Sequence, residues 1–171
     1  MKKLSDAVAF VAGAVVCVLL VAACVIVFTE VLLRYLSLGS LAWADEAARF
    51  LFIWMSLLGA ALGVREGIHF TINFISDAVP NQVRRGLVLI AAVGSSLVYL
   101  VMIVEGWRFV IFNQTQLSPA LDMSMSVPYL VVPVSGALML FFTWTNVVMN
   151  WKHPGMRPPL LDESSLPNAV E

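Results

Sequence analysis

The sequence predicts an all-α, polytopic membrane protein, with four transmembrane helices and a short amphipathic interfacial helix between the second and third. Three observations carry that expectation. First, hydrophobic residues make up 60% of the 171 residues and charged residues 12%, about half the charged share of an ordinary soluble domain. A soluble fold of this length needs polar groups to cover its surface, and the scarcity of them here makes membrane lipid the main contact of that surface. Second, several charge-free runs are long enough to cross a bilayer. Third, lysine and arginine gather in alternate connecting segments.

The first span is expected at about residues 7–33. Its charge-free part, Ala7 to Thr29, lies between Asp6 and Glu30 and makes about 35 Å of helix, enough for a hydrocarbon core of about 30 Å. Lys2 and Lys3 precede it, and Val21-Ala22-Ala23-Cys24 has the look of a lipoprotein cleavage box. The apolar run continues through Val25-Ile26-Val27-Phe28, so a retained helix is the expectation. Cys17 and Cys24 lie two helical turns apart in this run, too far for a disulfide within one straight helix, and read as small apolar packing residues.

The second span is expected at about residues 41–64. Phe50 to Val64 is too short alone, so the helix must begin within Trp43-Ala44-Asp45-Glu46. The third and fourth are expected at about 86–112 and 127–149. Between the second and third, Ile68, Ile72, Ile75 and Val79 recur at helical spacing, which predicts an amphipathic helix resting on the membrane surface. Pro128 suits a first helical turn, where its missing N–H costs nothing. Pro133 lies further in and should kink the helix or loosen a turn. Together these make a transmembrane domain over residues 1–151. A proline-containing tail over 152–171, poor in apolar residues, is expected to be disordered.

Basic residues orient the chain. Lys2 and Lys3, then Arg65, Arg84 and Arg85, then Lys152 and Arg157 form three basic segments, whereas the first loop has only Arg34 and the third, Asn113 to Ser126, has none. That pattern predicts both termini in the cytoplasm. Trp43, Trp107, Tyr129 and Trp151 fall near span ends, where amphipathic rings prefer the interface.

Charges inside or beside the spans are the candidate functional residues, because lipid makes them costly. Asp45 and Arg49 are spaced i,i+4 and Glu46 and Arg49 i,i+3, so either acid can reach the guanidinium along one helix face. Two readings stand side by side: a locally neutralised helix start, or a contact with another protein helix. Glu105 and Arg108 form a second acid–base pair at i,i+3, and Glu30 and Arg34 a third at i,i+4. These pairs are either solvated at the interface or part of a docking surface. Gly59 and Gly63 on the second helix have a small-residue spacing that lets a neighbouring helix approach.

Signs of chemistry are lacking. The two histidines, His69 and His153, fall outside the expected spans, which rules out a haem held by histidines on facing helices. The sequence holds no phosphate loop, nucleophile motif or metal-ligand spacing. The expectation is no enzyme activity and no cofactor, and a net charge of −1 points to no nucleic acid.

Arg34-Tyr35, Trp43-Ala44-Asp45-Glu46-Ala47-Ala48-Arg49, Trp54, Leu58-Gly59-Ala60-Ala61, Arg65-Glu66-Gly67-Ile68-His69, Pro128-Tyr129 and Val132-Pro133 together resemble the small membrane (Q) subunit of tripartite ATP-independent periplasmic (TRAP) transporters, the DctQ-like family. The resemblance covers about residues 5 to 150 and is densest from Arg34 to His69. It implies a non-catalytic subunit of the bacterial inner membrane that braces a large multispan TRAP membrane subunit. It also implies help in docking a periplasmic substrate-binding protein, during sodium-coupled uptake of an organic acid. The sodium would sit in the partner subunit. On the same resemblance Asp45, Glu46, Arg49, Trp54, Arg65 and His69 are structural or subunit-contact residues, and Glu105 and Arg108 join them as candidates on their spacing alone. Two alternatives stay open on the residues alone: a membrane anchor of a redox complex, and a small self-sufficient proton-coupled exporter.

Overall fold

A computed structural model describes residues 2–66 and 81–152. Its helices are α1 (Lys2–Tyr35), α2 (Ala44–Arg65), α3 (Asn81–Phe112), the single turn α4 (Ser126–Tyr129) and α5 (Val131–Lys152). Four stretches, Lys3–Tyr35, Ala44–Arg65, Gly86–Phe112 and Ser126–Met149, are long and apolar enough to cross a membrane. The chain is a multi-pass membrane protein. The interfacial helix expected around Ile68 to Val79, with His69, lies outside the described residues, as does the chain beyond Lys152.

The helices outrun their charge-free cores. α1 begins at Lys2 and takes in Ser5 and Asp6, because its first turns continue past the hydrocarbon boundary, where charged side chains stay solvated. α2 starts at Ala44, with Asp45 and Glu46 in its first turn, where the unpaired N–H groups favour acids. The break between α4 and α5 falls at Leu130. Pro133 explains it: its ring clashes with the carbonyl three to four residues earlier and it supplies no N–H. The ladder resumes around it, with Leu130 N–H donating to Ser126 and Val134 N–H to Leu130, at 3.0 and 3.3 Å.

The spanning helices lie in a row. α1 packs along α2, α2 along α5, and α5 along α3, while α1 and α3 make no extended contact. The two outer members of the row are therefore open to the membrane along most of their length. The core lies toward the end that carries the N-terminus, which we call the proximal end. It joins Ala9 of α1, Ala61 and Val64 of α2, Tyr99 of α3, and Met139 and Phe142 of α5.

Close approach within the row is made by glycines of α3 and α5. A β-carbon on Gly106 would meet Pro133 Cδ and Val132 Cγ1 at 3.0 Å, and one on Gly136 would meet Met102, Ile103 and the Tyr99 carbonyl at 3.2 Å. In lipid, helices gain by backbone proximity rather than by hiding apolar surface from water. Gly59, singled out by its spacing to Gly63, has nothing within 4 Å of its would-be β-carbon. Its small face is therefore not used within the row. Cys17 and Cys24 are likewise exposed and unbridged, so they do not pack inside the chain as expected.

Candidate subunit interface

At the distal end, opposite the N-terminus, the loop from Asn113 to Met125 folds back on itself. Leu117 and Ser124 form an isolated antiparallel bridge. Ser118 N–H donates to the Met123 carbonyl and Met125 N–H to that of Gln116, each at 2.9 Å. Asp122 takes a positive φ of 51°, a conformation that aspartate tolerates better than most residues. The fold-back leaves the Ala120 N–H pointing toward the start of α2. Glu46 accepts it through Oε2 at 2.9 Å, and Ser118 and Leu121 face the same carboxylate. A carboxylate that collects donors in a water-poor place holds them strongly. Glu46, only 5% exposed, thus fastens the distal loop to α2.

That geometry corrects the expected pairing in α2. Glu46 is hydrogen-bonded to the loop and makes no ion-pair contact with Arg49, although the guanidinium still attracts its charge. Asp45 and Arg49 are both exposed, and neither has an ion-pair partner among the described residues. The physical reason is burial of the carboxylate: Glu46 is the buried partner, and the loop N–H meets it there, whereas Asp45 and Arg49 stay exposed. Arg49 borders an open, apolar groove of about 1170 Å³ between α1 and α2, lined by Val27, Phe28, Val31, Phe52 and Ile53 among others.

The other expected charged residues are paired locally. Glu105 and Arg108 meet at 2.8 Å within α3, with both side chains more than half exposed. They do not reach the α2 cluster. Arg34 pairs with Glu30 within α1, where Glu30 is buried against the row and Arg34 is exposed. Trp54 is half-buried on α2.

At the proximal end Arg65 bridges two helices, donating to Asp6 of α1 at 2.6 Å and to its neighbour Glu66 at 3.1 Å. Asn146 of α5 donates to the carbonyls of Val64 and Arg65 at 3.0 and 2.9 Å. Asn146 thus caps the end of α2 from a neighbouring helix, where a helix's last carbonyls are open to outside donors. Sequence reasoning passed over Asn146, Ser118 and Asp6. Asn146 had a visible signal, an amide inside an apolar span; the other two had none. Among the described residues no group of three or more His, Cys, Asp or Glu side chains could hold a metal ion.

Residues 23–153 match the family described as tripartite ATP-independent periplasmic transporters, DctQ component. The chain belongs to this family. Among its DctQ relatives is the C4-dicarboxylate TRAP transporter small permease protein DctQ of Rhodobacter capsulatus, 34% identical over 60% of this chain and 46% of that protein. The sialic acid TRAP transporter small permease protein SiaQ of Vibrio cholerae is 32% identical over 58% of this chain and 57% of its own length. The isethionate TRAP transporter permease protein DctMQ of Oleidesulfovibrio alaskensis is 31% identical over 61% of this chain but only 17% of its own length. The aligned stretch therefore spans about half of the first two relatives. The DctQ match includes Glu46, Arg49, Arg65, Ser118 and Asn146. It leaves out Asp6, the α1 partner of Arg65.

Proposed function

We propose that this chain is the small membrane subunit that braces a large multispan permease, which moves an organic acid inward at the expense of a sodium gradient. The observation that carries the reading is the one-layer row. Four helices side by side enclose no solute path of their own, and they offer two long uncovered edges to a neighbour. A brace needs stiff helices tied at both ends, and Glu46 with Ala120 distally and Arg65 with Asp6 proximally supply those ties. The relative named DctMQ, of which the aligned stretch is a small part, supports a large permease as the neighbour. The relatives are named for C4-dicarboxylates, sialic acid and isethionate, all organic acids, which supports that substrate class. Sodium and solute would bind in the large subunit.

On this reading the protein resides in the bacterial inner membrane with both termini in the cytoplasm. The distal loop then faces the periplasm, where it would help seat a substrate-binding protein. The test is co-purification with a tagged large permease, together with uptake of radiolabelled organic acids by cells that lack this chain. Stable co-purification and loss of uptake are expected. Uptake that persists undiminished without this chain would overturn the proposal. A fluorescent reporter fused after Glu171 should fold and emit, because it stays in the cytoplasm; a dark fusion with full expression would reverse the orientation.

A further inference from the structure

The distal loop hangs from α2 by a single carboxylate. The Leu117–Ser124 bridge, with the bonds from Ser118 to Met123 and from Met125 to Gln116, ties the loop to itself. The Ser124 hydroxyl donates to the Gln114 carbonyl at 2.9 Å, again within the loop. Asn113 donates to the Phe109 carbonyl of α3 at 2.7 Å, where the loop begins. Among the described residues, the hydrogen bonds that carry the loop to α2 all end on Glu46, led by the 2.9 Å bond from the Ala120 N–H. A segment that is organised internally and attached at one point opens and closes as a unit.

Glu46 has a second partner within reach. Arg49 stands three residues further along α2, a spacing at which a carboxylate and a guanidinium can meet on a helix. The two make no ion pair in the structure, yet the guanidinium attracts the Glu46 charge. Asp45, exposed and four residues before Arg49, offers the same guanidinium another carboxylate. The remaining charges at this end do not intrude. Glu30 is held by Arg34 and Glu105 by Arg108, and Asp122 of the loop is exposed. The two bonds open to Glu46 are unequal. Its loop donors meet it where it is only 5% exposed, and a shielded carboxylate holds its donors strongly. A pair with the exposed Arg49 would be weak. The loop-bound position is therefore the major one and the Arg49-bound position the minor one.

We propose that Glu46 is a two-position latch, bound to the Ala120 N–H when the distal loop is engaged and to Arg49 when the loop is released. The latch joins two surfaces of the chain. Arg49 borders the groove between α1 and α2, and Ala120 is exposed in the distal loop. An anion brought against Arg49 takes away the rival partner, leaves Glu46 to the loop and tightens it. Holding the loop engaged in turn leaves Arg49 free for an anion, because a coupling of this kind is reciprocal. The device is complete within this chain and stands whether or not a larger subunit accompanies it.

The test is amide hydrogen exchange of the full chain in mild detergent, read at Ala120, with the core amide of Phe142 as the control for global opening. Glu46→Gln should speed exchange at Ala120 at least about tenfold, the scale of a lost hydrogen bond to a charged group. Arg49→Leu should slow it by up to about twofold, the worth of a pair at i,i+3. Asp45→Asn should speed it slightly, since Arg49 then has Glu46 as its one acid within a turn. Adding Arg49→Leu to Glu46→Gln should change nothing further. The opposite signs at positions 46 and 49 separate a latch from a prop, because an arginine that merely supported Glu46 would speed exchange when removed. Arg49→Gln should act as Arg49→Leu does, and it carries the test if the leucine variant does not fold. Exchange at Ala120 that is unchanged or faster without Arg49, with Phe142 unaltered, would overturn the latch. So would Glu46→Gln exchanging like the unmodified chain.

Discussion

The first span, in α1, is the most apolar of the four and the least covered, while the last, which contains α5 and is clearly less apolar than the first, is the most covered. In water that order would be reversed. In a membrane it follows from the solvent: lipid tails accept leucine and valine as readily as another helix does, so apolar side chains gain little by turning inward. Polar and small side chains gain much. The buried positions of α5 accordingly include Ser135, Gly136, Thr143 and Thr145. Two of the hydroxyls find carbonyls: Ser135 donates to Val132 at 3.0 Å and Thr145 to Phe142 at 2.8 Å. α1 meanwhile exposes Phe10, Val18 and Phe28 outward. The central helix holds the chain together, and the edge helix is left to meet something else.

The contrast is broken most directly by truncating one phenylalanine in each helix. Phe142 of α5 is fully buried, and Phe142→Ala should cost about 3–5 kcal/mol of stability, the sum of lost contacts and an unfilled cavity. Phe10 of α1 is 79% exposed, and Phe10→Ala should stay within about 0.5 kcal/mol. Unfolding in mixed micelles of rising denaturing-detergent fraction reads both. Similar losses at the two positions would mean that α1 is packed as tightly as α5.

The next effect in size tests close approach at the other edge of the row. Gly106→Ala places a methyl against the Pro133 ring and its backbone nitrogen. Neither can yield as a flexible side-chain end can, so about 1–3 kcal/mol should be lost. Gly59→Ala, with open space around it, should be neutral or slightly stabilising in the isolated chain, since alanine is the better helix former. A loss at Gly59 that appears only in the complex would mark a partner helix there.

Much of this is legible in the sequence. Charge-free runs gave the four spans, since each needs a minimum length of apolar helix, and Pro133 marked the break before α5. Spacing along one helix also found the pairs Glu105–Arg108 and Glu30–Arg34. It failed where the partner came from elsewhere in the chain. Glu46 and Arg49 look paired at i,i+3, yet Glu46 is taken by an N–H 74 residues away. Arg65 finds Asp6, 59 residues earlier. No local pattern reveals such pairings, because they depend on which helices are neighbours. The row itself was equally hidden, since four amphipathically weak spans can pack in several orders. The glycine contact was misplaced for the same reason: Gly106 and Gly136 lie on different helices, whereas a sequence motif reports only one.

Asn146 offers a sharper measure of the central helix. It supplies two hydrogen bonds to the end of α2, and Asn146→Leu keeps its volume while removing both. Interhelical hydrogen bonds in membranes are worth about 0.6–1.7 kcal/mol, so a loss in that range is expected, with faster hydrogen exchange in the last turn of α2. An unchanged exchange rate would mean that water caps α2 equally well.

The smallest expected effect concerns how the edge helix is tied to the row. Arg65 reaches Asp6 across the α1–α2 boundary, with side chains 28% and 49% exposed, whereas Arg108 and Glu105 pair within α3 at 72% and 59%. A double-mutant cycle on Asp6→Asn and Arg65→Gln should give a coupling of about 0.2–1 kcal/mol, the range of partly exposed pairs. It should shrink as salt is raised, because water and ions reach the pair. The matching cycle on Glu105 and Arg108 should give less, since those residues already sit on one helix and join nothing to anything else. If the α3 pair proved the stronger, α1 would be held by its apolar contacts with α2 alone, and the ionic tie at the proximal end would be incidental to the row.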